Sequence, residues 1–115
     1  MIEKWLTEIK KACPPEALGM ILVHNGVVRA TSKEGATVQG MKLSFDSAAL
    51  SEAVIRFKGR PGIADIRVWI NEGTLHVGDD IMNLCVAGRF RTDILPVFQE
   101  LLTEIKTKIV REEEI

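Results

Sequence analysis

The chain has 115 residues, of which 46% are hydrophobic and 27% are charged, and its formal net charge is -1 at pH 7. These values are ordinary for a globular protein, and the length suits one domain, residues 1–115, with one hydrophobic core. A nearly neutral chain has no overall basic field that would attract nucleic acid or an anionic membrane. Any anion-binding site must therefore be a local cluster of cations.

The chain carries no obvious targeting segment. No apolar run approaches the roughly 20 residues that span a bilayer, and the N-terminal stretch mixes charged with apolar residues, unlike a signal peptide. Cys13 and Cys85 are far apart and form no CxxC motif. Such cysteines are usually free thiols in a reducing compartment. We therefore expect a cytoplasmic protein with no membrane and no nucleic-acid partner.

The first half of the chain is predicted to form a helix, two strands and a second helix. Apolar residues from Ile2 to Ile9 recur with helical spacing, and Pro14-Pro15 ends that helix. The apolar run Met20–Val23 predicts a strand, and Asn25-Gly26 after it predicts either a tight turn or a bulge in one longer strand.

A second strand and a helix follow a polar loop. Met41, Leu43 and Phe45 alternate with polar residues, which is the pattern of a half-buried strand. Asp46 or Ser47 is then expected to cap a helix that ends near residue 59.

The second half is predicted to form three short strands and one long helix. The strands are expected at 66–70, 74–77 and 81–86, and the short links between them favour antiparallel neighbours. Asp93 is the expected cap of the last helix, which places Pro96 in the first turn and Glu112–Glu114 in an acidic tail. The order α-β-β-α-β-β-β-α predicts an α+β fold, a mostly antiparallel sheet with three helices.

Most catalytic signatures are absent. The chain has no P-loop, no GxGxxG after a strand and no GxSxG. His24 and His76 lack further ligands at a metal-binding spacing, so each is more typical of a strand or turn than of a metal site. We expect neither a metal nor a cofactor.

Several cations are candidates for a local anion site. Arg29 follows a strand and opens the polar loop, and Arg89 and Arg91 flank an aromatic residue just before a helix. Guanidinium groups bind phosphate or carboxylate through paired hydrogen bonds, and a helix N-terminus adds free N–H donors. Lys106 and Lys108 lie two residues apart on a helix, so at most one faces any given site. Taken alone, each of these arginines is more typical of ordinary exposed surface than of a binding site.

Five short motifs follow one another along the chain: Gly26-Val-Val-Arg29, Leu43-Ser-Phe-Asp46, Gly73-Thr-Leu-His-Val-Gly-Asp79, Ala87-Gly-Arg-Phe-Arg91 and Ile105-Lys-Thr-Lys108. Their ordered set, over roughly residues 19–112, resembles the large, catalytic subunit of molybdopterin synthase, the MoaE family. The resemblance implies a homodimeric α+β fold of the hammerhead type. Sheet edges left by short antiparallel strands, which are often paired or covered, favour the same dimer.

The resemblance also implies a reaction in molybdenum cofactor biosynthesis. Family members insert two sulfurs into a cyclic pyranopterin monophosphate to make the dithiolene of molybdopterin. The sulfur arrives as a thiocarboxylate on the C-terminal Gly-Gly of a ubiquitin-like small subunit, whose tail enters the large subunit. A pterin phosphate and a carboxylate-like tail both suit Arg and Lys, and a lysine can act as acid, base or transient nucleophile.

Carried over residue by residue, the resemblance implies that Arg29 and Arg91 bind substrate and that Lys106 is catalytic. Arg89 and Lys108 are further candidates for substrate binding. We expect Arg29, Arg91 and Lys106 to converge on one concave surface.

Three differences between this chain and the family pattern bear on catalysis. Phe90 stands where the family has the histidine of its His-Arg pair, the chain is shorter than typical members, and the closing lysine motif is replaced. The second functional lysine falls on Glu113 without a gap or on Arg111 after a short deletion. Because glutamates repel an anion, we expect Arg111 to be the catalytic-site replacement, with Glu112–Glu114 pointing into solvent.

Three functions stay open on the sequence. The first is a divergent large subunit of molybdopterin synthase. The second is a non-catalytic MoaE-like paralogue that acts as a dimeric anion- or protein-binding module. The third is a small dimeric α+β domain whose basic residues are surface charge.

Overall fold

The computed structural model describes residues 1–115, which form three helices and six strands. The helices are α1 (Ile2–Ala12), α2 (Ser47–Lys58) and α3 (Arg91–Glu104), and α3 continues into a π-helical segment, Ile105–Ile109. The strands are β1 (Met20–Val27), β2 (Gly40–Phe45), β3 (Ile63–Ile70), β4 (Gly73–His76), β5 (Asp80–Gly88) and β6 (Val110–Glu114). None of the helices has the length and apolar character required to cross a membrane.

The strands form two antiparallel sheets of three strands each, which confirms the predicted α+β class. In the first sheet β5 lies between β1 and β3, with Met20 opposite Gly88 at one end of β1. In the second sheet β2 lies between β4 and β6, with Met41 opposite Leu75 on one side. Both sheets thus have two edge strands.

The position of β4 corrects the prediction that strands joined by short links are neighbours. β3 and β5 pair with each other, whereas β4, which lies between them in sequence, pairs with β2 in the second sheet. Gly73 and Gly78 flank this excursion with φ values of 129° and 92°, a conformation that glycine adopts without strain. The excursion buries Leu75 in the main core.

The acidic chain end is a strand, not a tail beyond a helix. Val110 lies opposite Phe45 and Glu112 opposite Leu43, so β6 pairs with the edge of β2. Three consecutive glutamates offer no apolar face to a helix, whereas the edge of β2 offers unpaired backbone groups. Tertiary pairing therefore decides the structure of this segment.

The start of α3 also differs from the prediction. Arg91 is its first residue and Phe90 precedes it, so Asp93 lies inside the first turn and is not the cap. Asp93 instead accepts a hydrogen bond from Arg89 Nε at 2.9 Å. Pro96 consequently lies inside the helix, where it cannot donate the bond expected at the carbonyl of residue 92.

Two other local predictions are settled by the structure. Asp46 caps α2, because its Oδ1 accepts the N–H of Ala49 at 3.0 Å. β1 is one strand whose register shifts between Gly26 and Val27, so the bulge is correct and the tight turn is wrong.

The main core lies on one face of the first sheet and the smaller core on the other. Leu84 and Val86 of β5 join the main core with residues of α2 and α3. The next residues along the strand, Cys85 and Ala87, pack with Ile9 beneath α1. Because β5 is covered on both faces, burial raises the pKa of the Cys85 thiol, and this cysteine is unpaired.

Candidate functional site

Arg29 lies just beyond β1, beside the turn that leads into β5. The backbone holds this position, since Val28 donates to the carbonyl of Asp79 and accepts from the N–H of Gly78, both at 2.9 Å. Arg29 Nε donates to the carbonyl of Thr31 at 2.8 Å. The side chain is otherwise exposed and forms no ion pair, so it can bind an anion.

Arg89 and Arg91 lie near the opposite end of the first sheet, and only one of them is free. Arg89 is paired with Asp93, and its guanidinium carbon lies 5.3 Å from the ring centroid of Phe90. Arg91, the first residue of α3, is exposed and has no ion pair. Of the two, Arg91 is the better candidate for binding an anion.

The two lysines of the π-helical segment point in different directions, as their spacing predicts. Lys108 lines the groove between α2 and α3, together with Thr103 and Thr107. Lys106 is exposed and does not line that groove, and its charge contributes to the lowered pKa of His24. π-Helical turns are rare and occur often at functional sites, which singles out this segment.

His24 is a residue that the sequence analysis did not assign to the site. It is half-buried on β1, and its ring lies edge-on to Phe98 of α3 at a centroid distance of 6.3 Å. Burial, and secondarily the charge of Lys106, lowers the pKa of His24 below its ordinary value, so the imidazole is neutral at pH 7. Strand alternation could have indicated it, because it places His24 on the same face as Leu22, which packs against the main core.

Arg111 lies on β6, the strand that directly follows the segment carrying Lys106. It is opposite Ser44, and Glu113 is opposite Lys42, so these four side chains share one face of the second sheet. All three terminal glutamates are exposed, as predicted. They are nevertheless strand residues, whose side chains alternate between the two faces of the sheet. Arg111 therefore has the carboxylate of Glu113 on its own face.

One chain does not bring Arg29, Arg91 and Lys106 together. Arg91 and Lys106 are joined by continuous helix, which at 15 residues corresponds to about 20 Å. The length of β1, about 23 Å, separates the end near Arg91 from the end near Arg29. The expected convergence is therefore wrong for a single chain, since Arg91 stands apart from the other two.

The groove between α2 and α3 holds cations of a different kind. Arg56 binds Glu52 and Glu104, and Arg60 binds Glu100. Hydrogen bonds from these arginines lower the pKa of Glu52 and of Glu100. The paired carboxylates already neutralise the arginines, so this groove braces the two helices and is a poor anion site.

The structure contains no cluster of three or more His, Cys, Asp or Glu side chains that could hold a metal ion. The chemistry available is that of unpaired arginines, exposed lysines and one neutral imidazole. Such groups bind anions and transfer protons.

Solved structures with this fold come from molybdopterin biosynthesis. Molybdopterin cofactor biosynthesis protein E from Burkholderia multivorans matches with a TM-score of 0.78 at 19% identity, over 100% of this chain and 83% of that chain. Molybdopterin synthase from Staphylococcus aureus matches with a TM-score of 0.77 at 17% identity, over 96% and 82%. A complex of subunits 1 and 2 of molybdopterin-converting factor from Helicobacter pylori gives 0.73 at 17%, over 98% and 76%.

At these identities the structural likeness establishes the fold. The family model for the MoaE protein matches residues 3–108, which is most of the chain. The chain therefore belongs to the MoaE family, the large subunits of molybdopterin synthase in molybdenum cofactor biosynthesis. No curated protein sequence matches it.

The extent of the family match separates the candidate residues into two groups. Arg29, Arg91 and Lys106 lie within the matched residues, as do Arg89 and Lys108. Arg111 and the terminal glutamates lie beyond residue 108, on β6. The assignment of Arg111 thus has weaker support than that of Lys106.

Proposed function

We propose that this chain transfers sulfur from the C-terminal thiocarboxylate of a ubiquitin-like small subunit to cyclic pyranopterin monophosphate. The observation that carries the proposal is the MoaE family match over residues 3–108. The Helicobacter pylori complex of two subunits supports a small-subunit partner for this chain. The free cysteines, Cys13 and Cys85, are consistent with a cytoplasmic location.

In this proposal the unpaired cations have two different roles, binding and catalysis. Arg29 and Arg91 bind the phosphate of the pterin or the carboxylate-like tail of the small subunit, because each has a guanidinium without an acidic partner. Lys106 acts at the reacting centre as acid, base or transient nucleophile. Lys108, which lines the groove between α2 and α3, and Arg89, which is paired with Asp93, lie outside this set. Arg111 cannot take over proton transfer because a guanidinium stays protonated.

A homodimer completes the proposed site. Since Arg91 and Lys106 are about 20 Å apart along one helix, a site that contains both takes Arg91 from a second copy. β1 is an edge strand that exposes Val23 and Val27 to 37% and 48%, which favours its being covered by another chain.

Mixing two impaired variants tests this proposal. Arg91→Ala and Lys106→Ala homodimers each lack one site residue in both sites, and both are slow when the pterin phosphate is kept well below its wild-type dissociation constant. In a randomly mixed population half of the dimers are hybrids, and each hybrid has one intact site, so sulfur transfer should recover to about a quarter of wild type. No recovery from a mixture that contains hybrid dimers would exclude a shared site.

The non-catalytic paralogue is the second candidate function. Phe90, which is 60% exposed, stands where the family has a histidine, and no lysine occurs on β6. A protein that binds the pterin phosphate and the small subunit but transfers no sulfur would support this function. Binding and transfer therefore need to be measured separately.

A further inference from the structure

A small cavity lies between the start of α1 and the first sheet, on the face opposite to α3. Its volume is about 320 Å³. Asn25 of β1 and Trp69 of β3 both lie opposite Asn83 of β5, so the three side chains form a row across the sheet on the face that α1 covers. The remaining lining comes from Met1, Ile2, Glu3 and Asp80.

Asn83 is the one buried polar side chain of the protein, with 4% of its surface exposed. Its Nδ2 atom donates only to the Sδ atom of Met1, at 3.9 Å. A thioether sulfur is a weak acceptor, and a buried N–H without a strong acceptor costs free energy. The cavity therefore contains a buried donor that a carbonyl oxygen of a ligand would satisfy better than Met1 does.

A chain of hydrogen bonds fixes the direction of that donor. Asn25 Nδ2 donates to Asp80 Oδ1 at 3.0 Å and to Asn83 Oδ1 at 2.8 Å. Because a carboxylate only accepts, Asn25 must turn its NH₂ group toward Asp80, and Asn83 must then turn its oxygen toward Asn25. The NH₂ group of Asn83 is left facing the cavity beneath Met1, which is 56% exposed and can move aside.

Asp80 supplies an acceptor beside this donor. Only Oδ1 of its carboxylate is hydrogen-bonded, so Oδ2 is available to accept N–H groups of a ligand. Asp80 Oδ1 and Asn83 Oδ1 share the donor Asn25 Nδ2, so these two oxygens lie within about 6 Å of each other. One edge of a planar heterocycle can therefore reach both Asp80 and Asn83, and the indole of Trp69 offers a flat wall for its ring.

This arrangement of donor and acceptors selects one chemical class of ligand. A carbonyl oxygen next to ring and amino N–H groups is the lactam edge of a 2-amino-4-oxopyrimidine ring, whereas adenine presents an amino donor where guanine has its carbonyl. Anionic ligands are disfavoured, because the carboxylates of Glu3 and Asp80 line the cavity.

We propose that this cavity binds the lactam edge of a 2-amino-4-oxopyrimidine ring, which guanine nucleosides and pterins share. Asn83 donates to the ring carbonyl, Asp80 Oδ2 accepts from the ring N–H and the amino group, and Trp69 stacks on the ring. The side chain of Met1 gives way to the ligand. Because the cavity lies on the face opposite to α3, the inference goes beyond the proposed function and does not depend on it.

Nuclear magnetic resonance of the wild-type protein provides the first test, with any purification tag kept off the N-terminus because Met1 lines the cavity. Guanosine, unsubstituted pterin, inosine and adenosine are titrated separately while the side-chain amide signals of Asn83 and the indole signal of Trp69 are followed. We expect guanosine or pterin to move both sets of signals. Inosine lacks the amino group and should bind about tenfold more weakly than guanosine, and adenosine should not bind.

The same titrations identify the source of the ring and contain their own control. Whichever of guanosine and pterin binds more tightly is the effective probe. The indole signal of Trp5, which lines a separate groove with Val54 and Ile55, should stay unchanged. Unmoved Asn83 signals with both guanosine and pterin, or equal binding of adenosine, would overturn the proposal and leave the asparagine row a structural network.

A change of specificity provides the second test. Asp80→Asn keeps an acceptor for Asn25 but replaces the free carboxylate oxygen with an amide N–H, so the effective probe should bind about tenfold or more weakly. The 2-oxo analogue of that probe, xanthosine or lumazine, should bind this variant more tightly than the probe itself does. Asp79→Asn, the same substitution at the neighbouring residue, should bind like wild type. Wild-type affinity of the probe for Asp80→Asn would contradict the proposal.

These measurements use no phosphate, no small subunit and no turnover. A failure of sulfur transfer therefore leaves this cavity standing as a binding site, and a failure of ring binding leaves sulfur transfer to be tested. Asp80 is exposed, so its variant should fold. If it does not, the signals of Asn83 and Trp69 in the wild-type protein still decide the question.

Discussion

Two regions of this molecule carry basic side chains, and they differ in whether carboxylates of the protein pair with those side chains. In the paired groove, defined by Arg56, Arg60, Glu100 and Glu104, every arginine meets a carboxylate from the facing helix. In the open site, defined by His24 and Lys106, neither donor has a partner in the protein. Since ion pairs neutralise a cation that a ligand would need, the unpaired donors are the better guide to function.

The comparison explains why counting cations does not locate the site. The groove is lined by Arg56 and Arg60, yet Glu52, Glu100 and Glu104 pair with both of these arginines. The open site has a single ammonium and one neutral ring, but no carboxylate is paired with either.

The largest expected effect is that of Lys106→Ala on sulfur transfer. If Lys106 acts at the reacting centre, its loss should slow single-turnover transfer about a hundredfold or more. The side chain is exposed, so thermal unfolding should change little. Lys11→Ala, an exposed lysine on α1, is the control and should transfer sulfur at the wild-type rate. Near-normal transfer by Lys106→Ala would remove Lys106 from the mechanism.

Replacing Arg91 should have a smaller effect than Lys106→Ala. It should weaken pterin-phosphate binding, and this weakening should exceed any caused by Arg60→Ala. Arg91→Ala removes a free guanidinium and should weaken pterin-phosphate binding about tenfold. Arg60→Ala removes a guanidinium that already binds Glu100, so pterin-phosphate binding should not change. Binding constants for the two variants, measured by calorimetry at one salt concentration, make the comparison. Equal losses would show that ion pairing does not distinguish the two regions.

The pH dependence of stability should distinguish His24 from an ordinary surface histidine. The folded protein holds the pKa of His24 below its unfolded value, so the unfolded state binds more protons as the pH falls. The free energy of unfolding should therefore decrease as the pH drops through about 6.5, the unfolded value, and level off below the folded pKa. His24→Phe should lose this part of the dependence, whereas His76→Phe should retain it. Urea unfolding across this pH range measures both.

The smallest effect is expected from Arg111→Ala. Arg111 shares its sheet face with Glu113 and lies outside the family match, so anion binding should weaken only a fewfold. Arg111→Lys should restore anion binding to the wild-type level and leave the rate of sulfur transfer unchanged. Transfer that rises with the lysine would indicate that β6 reaches the reacting centre. Assays of both variants under the conditions used for Lys106→Ala allow direct ranking.

Much of the fold follows from local sequence patterns. Helical spacing predicts α1, alternation predicts β2, and Asp46, one of the two caps predicted for α2, is the cap in the structure. The partners of strands are less predictable. β4 joins β2 across the molecule, and β6 forms from glutamates because an edge is available, and neither fact is encoded in the segment itself.

The candidate site was predictable as a set of residue types and not as a geometry. Motif positions indicate Arg29, Arg91 and Lys106, but only the lengths of β1 and α3 show that one chain keeps Arg91 apart. His24 was interpreted as an ordinary strand or turn residue, because a single histidine in a strand has no motif. Its surroundings, the ring of Phe98 and the charge of Lys106, come from distant parts of the sequence.

A single-turnover sulfur-transfer assay tests the central claim most directly. The purified chain is mixed with a thiocarboxylated ubiquitin-like small subunit and cyclic pyranopterin monophosphate, and the dithiolene product is measured. The account predicts product that depends on Lys106 and on the C-terminal Gly-Gly of the small subunit. A stable complex of all three components that forms no dithiolene would contradict it and would favour the non-catalytic paralogue.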